Sequence, residues 1–75
     1  MYKVLISLGS NLGDRALNIT KAISLIQDKL GDVIAVSELY ETASWGYEDQ
    51  SYLNNAICLI TKWVPLDLMN ALLEI

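Results

Sequence analysis

The sequence predicts a small α+β domain, one antiparallel sheet with helices packed on a single face. Three observations carry that expectation. The chain opens on alternating apolar residues, Tyr2, Val4, Ile6 and Leu8, which is the period of a strand. Apolar residues then recur at spacings of three and four, the period of a helix. Two stretches rich in β-branched and aromatic residues, "VIAVSELY" and "YLNNAICLIT", follow before a second helical pattern begins.

In the first strand Lys3, Leu5 and Ser7 face away from the apolar set, and Leu5 suggests that this second face is partly covered. "GSNLGD" breaks the alternation. Asn11, three residues before Asp14, reads as a helix N-cap with an acid in the first turn. The helix buries Ala16, Ile19, Ile23, Ile26 and Leu30, turns Asn18, Lys21 and Asp28 outward, and ends at Gly31 in a C′ position. A second strand is expected from Val33 to Tyr40, and a polar loop carrying Trp45 and Tyr47 follows it. The third strand, "YLNNAICLIT", sets Leu53, Ile57 and Leu59 on one face against Asn54, Ala56, Cys58 and Ile60 on the other. Pro65 suits the first turn of a closing helix whose buried stripe is read as Leu66, Met69, Leu72 and Leu73. The order is β-α-β-β-α. That is the ferredoxin-like β-α-β-β-α(-β) unit without its last strand, and the helical pattern runs to Ile75 with no C-cap signal. The expectation is a single incomplete domain over residues 1–75, cut short at its C-terminal side.

Composition narrows the partners. Five Lys and Arg against nine Asp and Glu give a net charge of −4, and the cations never cluster, which argues against nucleic acid. No segment approaches the ~20 apolar residues that a membrane helix needs, so no membrane partner is expected. The lone Cys58 gives neither a disulfide framework nor metal-ligand spacing, and reads as a buried thiol in a reducing, cytoplasmic setting.

"GSNLGDR" lacks both the Lys-Ser/Thr of a Walker loop and the G-x-G-x-x-G spacing, so helix capping is its plainer role. Glu48 and Asp49 read as solvated neighbours, and the absence of histidine excludes a conventional triad or His-metal site. Tyr52 and Asn54 differ from these. They project from one side of a strand, where a phenol ring can stack on a flat heterocycle while a carboxamide meets its rim. The bland reading stays open beside it, with Tyr52 and Trp45 covering the sheet and Asn54 and Asn55 satisfying loop backbone.

"SLGSNLGDR", "SELYET" and "DQSYLNNA", in this order and spacing, resemble the amino-terminal half of the hydroxymethyldihydropterin pyrophosphokinase family. The resemblance implies diphosphoryl transfer from ATP to the hydroxymethyl oxygen of a reduced pterin, with magnesium, in folate biosynthesis. It also implies a pterin pocket in this chain. Thr42 would offer backbone to the ring with Ala43 beside it, Trp45 would be its apolar wall, Tyr52 would stack on it, and Asn54 would read its edge. Asn11 would lie in the nearby "GSN" turn, where capping competes.

Ala43 and Ser44 stand where the family often has proline, which leaves the loop less rigid, and Val64 stands where a Ser or Thr cap is usual. The family's arginine and Asp-x-Asp, which hold ATP and two magnesium ions, would lie beyond Ile75. No catalytic residue and no metal ligand is therefore expected in this chain, which alone should be inactive as an enzyme. Two rivals remain. One is a non-catalytic ferredoxin-like ligand-binding module; the other is an assembly unit that self-associates through its open sheet edge.

Overall fold

A computed structural model describes residues 1–43 and 50–73 of the chain. The elements are β1 (Tyr2–Ser10), α1 (Arg15–Lys29), β2 (Asp32–Val36), β3 (Tyr40–Thr42), β4 (Tyr52–Thr61) and α2 (Pro65–Leu72). β4, the expected third strand to the residue, lies at the centre of the open sheet. β1 pairs with its whole length antiparallel, from Tyr2 opposite Thr61 to Ser10 opposite Leu53. β2 and β3 share its other edge, β2 beside Ile57–Ile60 and β3 beside Tyr52–Asn54, both antiparallel.

The expected strand from Val33 to Tyr40 is thus two strands with a gap. Ser37 accounts for the gap. Its N–H donates to the Ala56 carbonyl at 2.8 Å, and its Oγ accepts the Ala56 N–H at 2.8 Å, so a side chain takes the place of the next ladder carbonyl. A register shift between Val33 and Ala35 bends the same edge further.

Alternation decides which face is buried. Val4 opposite Leu59 and Ile6 opposite Ile57 form the sheet's contribution to the core, completed by Ile26 and Leu30 of α1 and Leu68 of α2. Both helices therefore cover one face, and the α+β, ferredoxin-like expectation holds. Among the described residues no helix packs on the other face: Leu5 is 80% exposed there, so its half-covered appearance in sequence is not realised, while Cys58 opposite it is buried in the central strand.

The helix ends differ from expectation in two places. Asp14, not Asn11, caps α1, its Oδ1 accepting the Leu17 N–H at 3.1 Å. Asn11 lies one turn too early. In α2 the buried residue is Leu68, with Ala71 and Leu72 packed beside it, whereas Leu66, Met69 and Leu73 face outward. The predicted stripe is rotated because apolar residues surround most of this helix and only the position of the sheet selects among them. Gly31 stands where it was expected, with φ +153°, and a β-carbon there would overlap the Ile60 carbonyl oxygen. Thr61 fastens the same corner, its buried hydroxyl donating to the Leu30 carbonyl at 2.5 Å.

Candidate functional site

With Ile57 and Leu59 turned to the core, the period of two sends Tyr52 and Asn54 to the opposite face of the sheet. Their cross-strand neighbours follow from the register. Asn54 lies between Gly9 of β1 and Tyr40 of β3, and Thr42 lies opposite Tyr52. The predicted pair, with Thr42, therefore comes together at one end of one face.

The Asn54 carboxamide is held. Its Nδ2 donates to Thr42 Oγ1 at 2.9 Å and to the Tyr40 carbonyl at 3.3 Å, which occupies both amide hydrogens. No donor reaches its Oδ1 among the described residues. The group thus presents an acceptor, where the sequence suggested donor and acceptor alike. Thr42 acts here through its hydroxyl, beyond the backbone role expected for it. Tyr52 is 38% exposed, so part of its side chain is uncovered.

Gly9 makes the arrangement possible. A β-carbon on it would stand 2.9 Å from Asn54 Oδ1 and 3.6 Å from the Tyr52 ring. Sequence reasoning passed over Gly9 as part of a turn motif, although a glycine inside a strand is itself a sign of close approach. Tyr40, exposed beside Asn54, was also missed. Ala43 follows β3 directly and is exposed. Trp45 lies outside the described residues. Asn11 is half-buried and joins the loop before β4 through its backbone: Gln50 Nε2 donates to the Asn11 carbonyl at 3.2 Å and to that of Gly13 at 3.1 Å. Asn55, next to Asn54, points the other way into the core and is buried.

Behind the sheet, on the helix side, a polar cluster closes the same end. Arg15 Nη1 donates to the Ser51 carbonyl at 2.8 Å, to Ser51 Oγ at 3.1 Å and to Glu41 Oε2 at 3.3 Å. Ser51 Oγ in turn donates to Glu41 Oε2 at 2.6 Å. The hydroxyl bond, followed by the guanidinium, holds the Glu41 carboxyl below its ordinary range. Among the described residues no group of three or more acidic, histidine or cysteine side chains converges.

The arrangement is an extended platform with an aromatic, a fixed amide acceptor and a glycine floor. The family model described as 7,8-dihydro-6-hydroxymethylpterin-pyrophosphokinase matches residues 5–75. The chain belongs to this pyrophosphokinase family. Among curated relatives, 2-amino-4-hydroxy-6-hydroxymethyldihydropteridine pyrophosphokinase of Porphyromonas gingivalis is 37% identical over 71 residues, 93% of this chain and 48% of that protein. The protein of the same name from Bacillus subtilis is 42% identical over 66 residues, 85% of this chain and 40% of the relative. The "Folate synthesis bifunctional protein" of Arabidopsis thaliana is 42% identical over 74 residues, 97% of this chain but 15% of its own length. The chain spans about half the length, or less, of the curated pyrophosphokinases that it matches. Tyr52, Asn54, Thr42 and Gly9 all lie within the residues that the pyrophosphokinase family model covers.

Proposed function

We propose that this chain is the pterin-binding half of an enzyme that transfers diphosphate from ATP to hydroxymethyldihydropterin in folate biosynthesis. The observation that carries the reading is the locked Asn54 carboxamide beside the partly exposed Tyr52 side chain, in a chain of the pyrophosphokinase family. A pterin is flat, apolar on its faces and crowded with polar groups on its rim. Tyr52 takes the face, with stacking of about 0.5–1.5 kcal/mol beyond area. Asn54 Oδ1 accepts from the N–H groups of the rim, a bond of about 1 kcal/mol net. An analogue without a donor at that edge leaves the oxygen unpaired, so selectivity exceeds affinity.

In the reaction the hydroxymethyl oxygen bonds to the β-phosphorus of ATP and loses its proton. The bond from that phosphorus to the oxygen bridging it to the α-phosphate breaks, and AMP leaves with the electron pair. The described residues bind and orient the acceptor. Magnesium, ATP and the cations that neutralise the transferring charge belong to other parts of the enzyme, and a cytoplasmic setting goes with the buried free thiol of Cys58. Trp45 and Ala43 belong to the same pocket wall in this reading, and Asn11 to the turn beside it.

The test is a titration of the intact protein with hydroxymethylpterin, read by the ligand's fluorescence. Asn54→Ala weakens binding by about five- to fifteenfold, the loss of one well-placed hydrogen bond. Equal affinity in the two proteins removes Asn54 from the site.

The bare edge of β1 favours a second property of the isolated chain. Among the described residues no strand pairs on the side of β1 away from β4, and Leu5 is exposed there. Self-association through that edge is the expected outcome, seen as a sedimentation coefficient that rises with concentration. A monomer across the range refutes it.

A further inference from the structure

Arg15 is the first residue of α1, where a cation opposes the positive end of the helix dipole. Its contacts lie elsewhere. Through one nitrogen it holds Glu41, the residue before Thr42, and Ser51, the residue before Tyr52. Ser51 Oγ closes the triangle onto Glu41. Gln50 adds a second tie from the same loop end to the turn before α1.

β3 needs such a tie. It is three residues long and exposed at every position, so burial cannot fix its register against β4. Thr42, whose hydroxyl holds the Asn54 amide, is its last residue. Displacement of β3 by even a fraction of a residue would separate Thr42 Oγ1 from Asn54 Nδ2 and free the carboxamide to rotate.

We propose that the Arg15, Glu41 and Ser51 clasp positions the pterin site from behind the sheet, fixing Thr42 and Tyr52 so that the Asn54 acceptor points at the ligand. The inference rests on the pterin reading of Tyr52 and Asn54. Arg15 is a positioning residue and touches no ligand. Exposed ion pairs add little to global stability, and Glu41 is 61% exposed in its side chain. Loss of the clasp therefore shows in binding rather than in the melting temperature.

The experiment is a double-mutant cycle in the intact protein with hydroxymethylpterin as probe. Arg15→Ala weakens binding by about three- to tenfold in the wild-type background with the melting temperature nearly unchanged. On Asn54→Ala the same change costs less than about twofold, because the acceptor that it positions is already gone. Arg15→Lys gives an intermediate loss, since the ammonium keeps the charge but not the planar guanidinium that fixes where the donating nitrogen sits. Wild-type affinity in Arg15→Ala, with Asn54→Ala impaired, overturns the clasp and leaves the site reading standing. An equal loss in both backgrounds also overturns it, because Arg15 then acts independently of Asn54. Wild-type affinity in Asn54→Ala overturns the site reading and the clasp with it. Should Arg15→Ala fail to fold, Ser51→Ala, which removes only the hydroxyl bridge, carries the same cycle.

Discussion

At Gly9 nothing stands between β1 and the Asn54 carboxamide, and a methyl group would press on Oδ1 from 2.9 Å. Gly9 is outside the left-handed region, where among the described residues Gly13 and Gly31 are found, so its backbone accepts alanine. Gly9→Ala should therefore leave stability within about 1 kcal/mol of wild type while turning the amide away from its bond to Thr42. The expected reading is a loss of hydroxymethylpterin affinity of about tenfold with an unchanged thermal transition. Unchanged affinity would mean that the carboxamide orientation is immaterial to binding. That Tyr52 and Asn54 share a face was readable in sequence because strand alternation alone puts them there, whereas their roles came from the resemblance. Gly9 and Tyr40 were not, because a cross-strand neighbour depends on a register that no local pattern states. The same limit hid the donor use of Asn54, whose partners Tyr40 and Thr42 lie 14 and 12 residues away.

Element boundaries were readable where one residue type alone fits. Gly31 ends α1 because its φ of +153° and its contact with the Ile60 carbonyl leave no room for a side chain. Gly31→Ala should lower the unfolding free energy by about 2 kcal/mol or more, measured as a fall in the urea midpoint. A loss under about 0.5 kcal/mol would show that the corner relaxes freely. Asn11 and Asp14, by contrast, are both competent caps, and only the place where the chain turns chooses Asp14. The break at Ser37 was hidden for a related reason, since its hydroxyl finds Ala56, 19 residues on. The tie between β3 and α1 also has a pH signature. Glu41 titrates below its ordinary value of 4.5, so its carboxylate favours the folded state and the contribution is fully present above that value. It is lost as pH falls through the lower folded value. Glu41→Gln should accordingly be slightly less stable than wild type at neutral pH, and the two should converge at pH below the ordinary value. A gap that persists in acid would assign the effect to packing instead of charge.

Packing joins the elements at the centre of β4. Leu59 is fully buried, faces Val4 of β1 and Val33 of β2 across the sheet, and belongs to the cluster that α1 and α2 complete with Ile26, Leu30 and Leu68. The one-face architecture was readable because Val4, Ile6, Ile57 and Leu59 alternate and the α1 stripe has a single helical face. The rotation of α2 was not, because its sequence is apolar nearly all round. A chain of this length has roughly 4–11 kcal/mol of stability in all. Leu59→Ala removes about 2–5 kcal/mol of that by lost burial and a residual cavity, and should lower the melting temperature by about 10–30 °C. Leu5→Ala, on the opposite face at 80% exposure, should cost less than about 0.5 kcal/mol. The contrast is measured by thermal unfolding of the two variants at one dilute concentration. Comparable losses would mean that the face carrying Tyr52 and Asn54 is packed against protein, and a platform packed in that way could not receive a pterin.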